Sequence, residues 1–224
     1  MPSKKKHSST VRCLVTGFGP FGAMVENPSE LIATEIYPQV EILGSSSNKV
    51  RVKGLVLPTS SKESWEKLKE ELKKTSPDIL IMVGVAGGRT EIQFERFGLN
   101  IRDYPIADIS DYKPVGEKIS KRGPAAYETQ VSLSELQKYM SEHGVEAKIS
   151  NHAGAYVCND LFYRALKYQQ KHRELKVVQF IHVPELSDPL NSEKRLLGAG
   201  TRACQLKGMC DAVAKVAGFL ASTL

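Results

Sequence analysis

The sequence predicts an α/β protein: a mainly parallel sheet with helices on both faces, in a single domain. Three observations predict it. Short apolar runs alternate with amphipathic stretches, the order of a parallel sheet crossed by helices. The runs at 11–16, 78–83 and 176–183 are short, apolar and bounded by Gly or Pro, as buried strands are. No linker, internal repeat or low-complexity stretch divides the 224 residues, enough chain to bury a large core.

The elements follow in order. The first strand, 11–16, stops at the loop Gly17-Phe18-Gly19-Pro20-Phe21-Gly22. Asn27 then caps a helix, with Pro28 at its first position and Glu30 three residues after the cap. Residues 40–44 and 50–57 read as strands around a Ser-rich turn. The stretch 61–75 sets Trp65, Leu68 and Leu72 at helical spacing. The strand 78–83 runs into Gly84-Val85-Ala86-Gly87-Gly88, and 90–101 reads as extended and carries Glu95. From 102 to 130 the chain is rich in Pro, Asp, Gly and Tyr, a long loop of the kind that often carries function. Ser132 and Glu135 form a capping box that opens a helix ending before Gly144. A strand at 145–150, a helix from about Ala155 to Lys171 and a strand at 176–183 stopped by Pro184 come next. The last helix, about 201–221, sets Leu206, Cys210, Val213, Ala217 and Leu220 on one stripe. Residues 1–10, basic and polar, predict a disordered tail before a domain at 11–224.

Composition narrows the function classes. The apolar fraction of 41% and charged fraction of 25% are ordinary for a soluble globular chain. No apolar run is long enough to cross a bilayer, and the N-terminus lacks the apolar core of a secretory signal. The net charge of +6 owes part of its excess to Lys4, Lys5 and Lys6. Lys67, Lys69, Lys73 and Lys74 lie among glutamates, which reads as a solvated helix face rather than a nucleic-acid groove. The four cysteines, Cys13, Cys158, Cys204 and Cys210, form no CxxC pair and have no zinc-site spacing. No metal is expected, and free thiols in a chain without a signal point to the cytoplasm.

In open parallel sheets, chemistry gathers at the C-terminal ends of strands. Cys158 lies where a predicted strand passes into a predicted helix, in or near the first helical turn. Unpaired N–H groups and the helix dipole there favour a thiolate and can hold an oxyanion. A buried structural cysteine is the competing reading. His182 ends an apolar strand, either as a satisfied core residue or as a base facing a cleft. His152, near Cys158 in sequence, is a lesser rival. Glu95, in Ile92-Gln93-Phe94-Glu95-Arg96-Phe97, is either paired with Arg96 at the surface or positioned to orient an imidazole. The 17–22 loop is a formal GxGxxG match, but the helix begins only at Pro28. Its N-terminus would not meet a pyrophosphate as in dinucleotide folds, and two phenylalanines in the loop suit a small flat ring better.

Taken together, the segments resemble the pyroglutamyl-peptidase I family of cysteine peptidases. The matching pieces are V-T-G-F-G-P-F-G with Asn27-Pro28, V-G-V-A-G-G-R at 83–89 and E-R-x-x-x-N at 95–100. S-N-x-A-G-x-x-V-C-N at 150–159 and F-I-H-V-P at 180–184 complete the set, in family order. The resemblance implies a three-layer α/β/α sandwich with a twisted central sheet, no cofactor and no metal. It implies a triad of Cys158, His182 and Glu95 that attacks N-terminally pyroglutamylated peptides through a thioester. It also implies a ring-binding pocket that includes Phe18, Phe21, Ile106, Tyr156 and Val157. Family members associate in different ways, which leaves a homo-oligomer open. The sequence departs from the family at Val85, where Gln is frequent, and at Pro105, where many members carry Arg; only Arg102 is near. The altered segment around Pro105 motivates one rival, a non-catalytic pyroglutamyl-peptide binder of the same fold; the GxGxxG match motivates another, a nucleotide or nucleoside enzyme using that loop.

Overall fold

A computed structural model describes residues 10–35, 41–43, 49–186 and 201–224. The predicted tail, apart from Thr10, and the Ser-rich turn lie outside the described residues. The chain forms β1 (Thr10–Phe18), α1 (Pro28–Glu35), β2 (Glu41–Leu43), β3 (Lys49–Leu57), α2 (Ser61–Thr75), β4 (Ile79–Val85) and β5 (Ile92–Leu99). It continues through β6 (Ala126–Glu128), α3 (Leu133–Glu142), β7 (Ala147–His152), α4 (Val157–Gln169), β8 (Val177–Val183) and α5 (Arg202–Ser222).

The described strands make one eight-stranded sheet in the order β2-β3-β1-β4-β8-β5-β6, with β7 on the other edge of β5. The run β3-β1-β4-β8 is parallel, and β5 joins it antiparallel to β8 and parallel to β7. Two cores flank the sheet. One takes Ile32 of α1, Leu136 and Met140 of α3, and Val213 and Leu220 of α5. The other takes Leu68 and Leu72 of α2 with Leu161, Phe162 and Leu166 of α4. Helices therefore cover both faces, as the alternating pattern requires.

Local chemistry explains the element ends. Asn27 caps α1 by accepting from Ser29 N at 3.0 Å, and its amide donates to Gly19 O at 3.0 Å. That double bond ties the 19–22 turn to the helix start. A Cβ on Gly17 would fall 1.8 Å from Ser29 O, and one on Gly54 would fall 1.8 Å from Ala33 O. Two glycines thus let α1 rest directly on β1 and β3. Ser60 caps α2 by accepting from Glu63 N, and Ser76 ends it in the left-handed region at φ 41°.

Four details differ from the sequence expectation. Ser132 caps α3 by position, yet its side chain makes no cap hydrogen bond, so the capping box does not form. Leu136 N bonds the Ser132 carbonyl instead. The buried side of α5 runs through Gln205, Met209, Ala212, Val213, Val216 and Leu220; Leu206 and Cys210 only flank it. The 102–130 stretch contains the short strand β6 and a bridge from Arg102 to Glu117. Finally, β4 continues through Gly84 to Val85, where the expected strand stops at Val83.

Candidate active site

The β4–β8 register sets the site. Gly84 pairs with His182 across these strands, and Glu95 on β5 pairs with Phe180. Paired residues, and residues two apart on a strand, project to one face. Phe180 belongs to the α2/α4 core, so His182, Glu95 and the open face of Gly84 all point toward α4. His182 Nδ1 lies 2.7 Å from Glu95 Oε1, and both side chains are buried. Glu95 does not pair with Arg96, which faces Glu128 at 3.7 Å. Arg89 Nη1 stands 3.9 Å from Glu95 Oε1, and Oε2 has no hydrogen-bond partner.

Cys158 is the second residue of α4, after the N-cap Tyr156. A Cβ on Gly84 would lie 3.0 Å from Cys158 Sγ and 2.9 Å from Phe180 Cζ. The sulfur therefore occupies the space that glycine leaves open, directly over the strand pair that carries His182. Gly84 was not singled out from sequence; its signal was a glycine inside an otherwise continuous apolar strand. Asn159 was not singled out either. Its amide donates to Leu99 O and Ile101 O at 2.9 Å, and Leu99 N donates to its Oδ1 at 2.8 Å. Fully bonded and buried, it fixes the first turn of α4 to the end of the strand that carries Glu95.

The helix start does not give Cys158 an acidic thiol. Burial pushes the Cys158 thiol up to about 12, and the negative charge of Glu95 adds to the rise. Its own backbone N–H acts in the opposite direction and is outweighed. Desolvation thus opposes the helix-terminus effect on which the thiolate expectation rests. Cys13 is sealed in the first strand and its thiol is pushed further up, while Cys210 is pushed up to about 11. The first N–H groups of α4 have no carbonyl within the helix to bond, so they remain suited to a developing oxyanion.

The five pocket residues divide. Phe21, Ile106 and Tyr156 gather at a mouth. The Phe21 and Tyr156 rings lie 5.9 Å apart, Tyr156 Oη donates to Ala107 O at 3.2 Å, and Ile106 faces the Gly22 turn. Phe18 and Val157 are buried in the α2/α4 core. A cleft of about 1050 Å³ opens beside the mouth, lined by Phe21, Met24, Val85, Ile106 and Glu185 among others. Neither Cys158 nor His182 lines it. His152 is exposed and accepts from Gly154 N, which removes it from the site. Arg102 does not reach toward the sulfur: its Nε bonds Asp160 Oδ1 at 3.0 Å. Among the described residues no group of three or more His, Cys, Asp or Glu is placed to hold a metal.

Comparison with known proteins follows this geometry. A family model for pyroglutamyl peptidase matches residues 11–214. The pyrrolidone-carboxylate peptidase of Fusobacterium nucleatum is 36% identical over 179 residues, 80% of each chain. Its counterpart in Bacillus amyloliquefaciens is 36% identical over 178 residues, 79% of this chain and 80% of that one. The crystal structure of pyroglutamyl peptidase I from Bacillus amyloliquefaciens aligns with a TM-score of 0.78 at 32% identity, covering 92% of this chain and 97% of the other. Pyrrolidone carboxyl peptidase from Thermococcus litoralis aligns with a TM-score of 0.81 at 31% identity, covering 96% of each. With the matched span running from the first strand into the last helix, the chain belongs to the pyroglutamyl peptidase family.

Proposed function

We infer that the protein is a pyroglutamyl peptidase that uses Cys158 as nucleophile, His182 as general base and Glu95 as the group that orients His182. The activity follows from the family; the roles rest on one observation, the buried 2.7 Å contact between His182 Nδ1 and Glu95 Oε1 beneath the cysteine-bearing turn of α4. That contact holds Nδ1 as the donor and leaves Nε2 to take a proton.

The raised thiol pKa favours a general-base pathway over a standing ion pair. Sγ attacks the carbonyl carbon of the pyroglutamyl residue as His182 removes the thiol proton. The carbonyl oxygen becomes an oxyanion facing the N–H groups of the α4 turn. Collapse breaks the C–N bond, and His182 returns the proton to the leaving amine. Water, deprotonated by the same imidazole, then cleaves the thioester and frees pyroglutamate. The mouth formed by Phe21, Tyr156 and Ile106 suits a flat, uncharged lactam. An ordinary N-terminal ammonium would lose its hydration there. The four unpaired cysteines are in keeping with a reducing compartment such as the cytoplasm.

The test is a reduced enzyme assayed on fluorogenic pyroglutamyl, prolyl and glutamyl amides. Cleavage of the pyroglutamyl amide alone, blocked by iodoacetamide, is expected. Cys158→Ala should lower turnover by at least about 10⁴-fold, and His182→Ala nearly as much. Wild-type turnover in Cys158→Ala would remove the nucleophile assignment. Equal cleavage of all three amides would remove the pocket assignment.

A further inference from the structure

A second cavity lies between α2 and the C-terminal half of α4, on chain that the mechanism does not use. Its volume is about 340 Å³. Trp65, Lys69 and Lys73 line it from α2, and Lys167, Tyr168 and Lys171 from α4 and the residue pair that follows it. No Asp or Glu contributes to the lining.

Glutamates alternate with these lysines along α2, but none of them faces the cavity. Lys69 and Lys73 are one helical turn apart, as are Lys167 and Lys171, so like charges stack on both walls. Such pairs are unfavourable unless an anion lies between them. Among the described residues, Lys69, Lys73 and Lys171 make no ion pair. Lys167 Nζ is held by a 2.8 Å hydrogen bond to Ser120 Oγ, which fixes one ammonium at the rim. The charges adjoin an aromatic surface: Trp65 meets Tyr168 edge to face with centroids 6.0 Å apart, and His172 stacks on Tyr168 at 3.8 Å. That leaves Trp65 and the outer face of His172 as the flat surfaces. Lysine ammoniums are point charges suited to phosphate oxygens, and an aromatic wall suits a flat ring. The volume falls at the lower end of small-ligand sites.

We propose that this groove is a binding site for a small polyphosphate anion, with a nucleoside di- or triphosphate engaging the lysines through its phosphates and the aromatic wall through its base. Catalysis does not depend on it.

Trp65 is the chain's only tryptophan, so its fluorescence reports on the groove directly. The full-length protein is titrated at low salt with ADP and, separately, with inorganic tripolyphosphate. Both should give a saturable change, and ADP should bind about fivefold more tightly or better because its base stacks. Lys73→Gln with Lys171→Gln should weaken both ligands by about tenfold while pyroglutamyl-amide hydrolysis stays at the wild-type rate. No saturable change with either ligand up to millimolar concentration overturns the proposal. So does unchanged affinity in the double variant, which would locate the signal elsewhere. Tripolyphosphate binding as tightly as ADP overturns the nucleotide assignment. Wild-type hydrolysis in the variant, with its unfolding temperature retained, confirms that the fold survives the substitutions.

Discussion

Glu95 is fully buried, and only one of its two carboxylate oxygens has a hydrogen-bond partner. An ionised carboxylate in that position is tolerated only where positive charge faces it. Arg89 at 3.9 Å supplies a share that solvent weakens, since its side chain is 37% exposed. In the proposed mechanism the larger share comes from His182 once it has taken the thiol proton. On that proposal Glu95 acts on the intermediate more than on the resting enzyme. Glu95→Gln should lower kcat by roughly 10- to 1000-fold with little change in KM, since the amide still accepts from Nδ1 but carries no charge. An unchanged kcat would leave Arg89 and the fold to orient His182 without it. The thiol itself gives a pH prediction. A pKa raised to about 12 keeps Cys158 protonated through neutral pH, with a thiolate fraction that grows tenfold per pH unit. In His182→Ala, where no imidazolium can hold the thiolate, Cys158 alkylation by iodoacetamide should climb log-linearly through pH 10. A plateau near the ordinary thiol value of about 8.5 would show that burial does not raise the pKa.

At the scale of elements, the site depends on how closely α4 approaches the sheet. Gly84 leaves room for Cys158 Sγ, and the Phe180 ring on its other side is fully buried and cannot retreat. In Gly84→Ala the new methyl meets both, and the sulfur, free to turn about a single bond, gives way first. Turnover should fall at least about tenfold while stability drops by about 1–3 kcal/mol, as for a small overpacking change. Wild-type turnover at any stability would mean the sulfur's position is not set there. This dependence was partly legible in the sequence. The strands that end in 17–22, 84–88 and 182–184 mark the C-terminal edge of the parallel run, and Cys158 falls at a strand-to-helix junction. Glu95 was harder to place because β5 enters antiparallel to β8, which puts the carboxylate in mid-strand rather than at a strand end. Phe18 and Phe21 look equivalent in sequence, yet β1 extends through Phe18 and carries it into the core, leaving Phe21 at the mouth. The helix-terminus effect behind the thiolate expectation is readable from spacing, whereas the desolvation that opposes it requires the neighbours that only folding supplies.

Across the whole molecule, one buried cluster joins parts that are distant in sequence. Asp160 Oδ1 accepts from Arg102 Nε at 3.0 Å and from Arg164 Nε at 3.1 Å, and Oδ2 accepts from Ser61 Oγ at 2.6 Å. The carboxylate thus links α4 to the start of α2 and to the segment that follows β5. Asp108 extends the same tie, accepting from Ser61 N, Ser110 N and Tyr112 N. Together they hold the 102–117 segment, and with it Ile106, against the helix that bears Cys158. Sequence spacing gave no hint of this, because the partners converge only when α2 and α4 share a face of the sheet. Arg102 is nearly buried, and its Nη1 bonds the Lys118 carbonyl at 3.3 Å, so removing its carboxylate leaves the guanidinium charge without a counter-ion. Asp160→Asn should cost about 3 kcal/mol of stability, read as a lowered unfolding temperature. It should also expose Lys118 to trypsin before other sites, because Asp108 and backbone bonds such as Tyr104 N to Pro114 O would then hold the segment without the Arg102 anchor. Cleavage identified by mass spectrometry at the wild-type sites and rate would mean those backbone bonds suffice, and that Asp160 stabilises α4 without restraining the mouth.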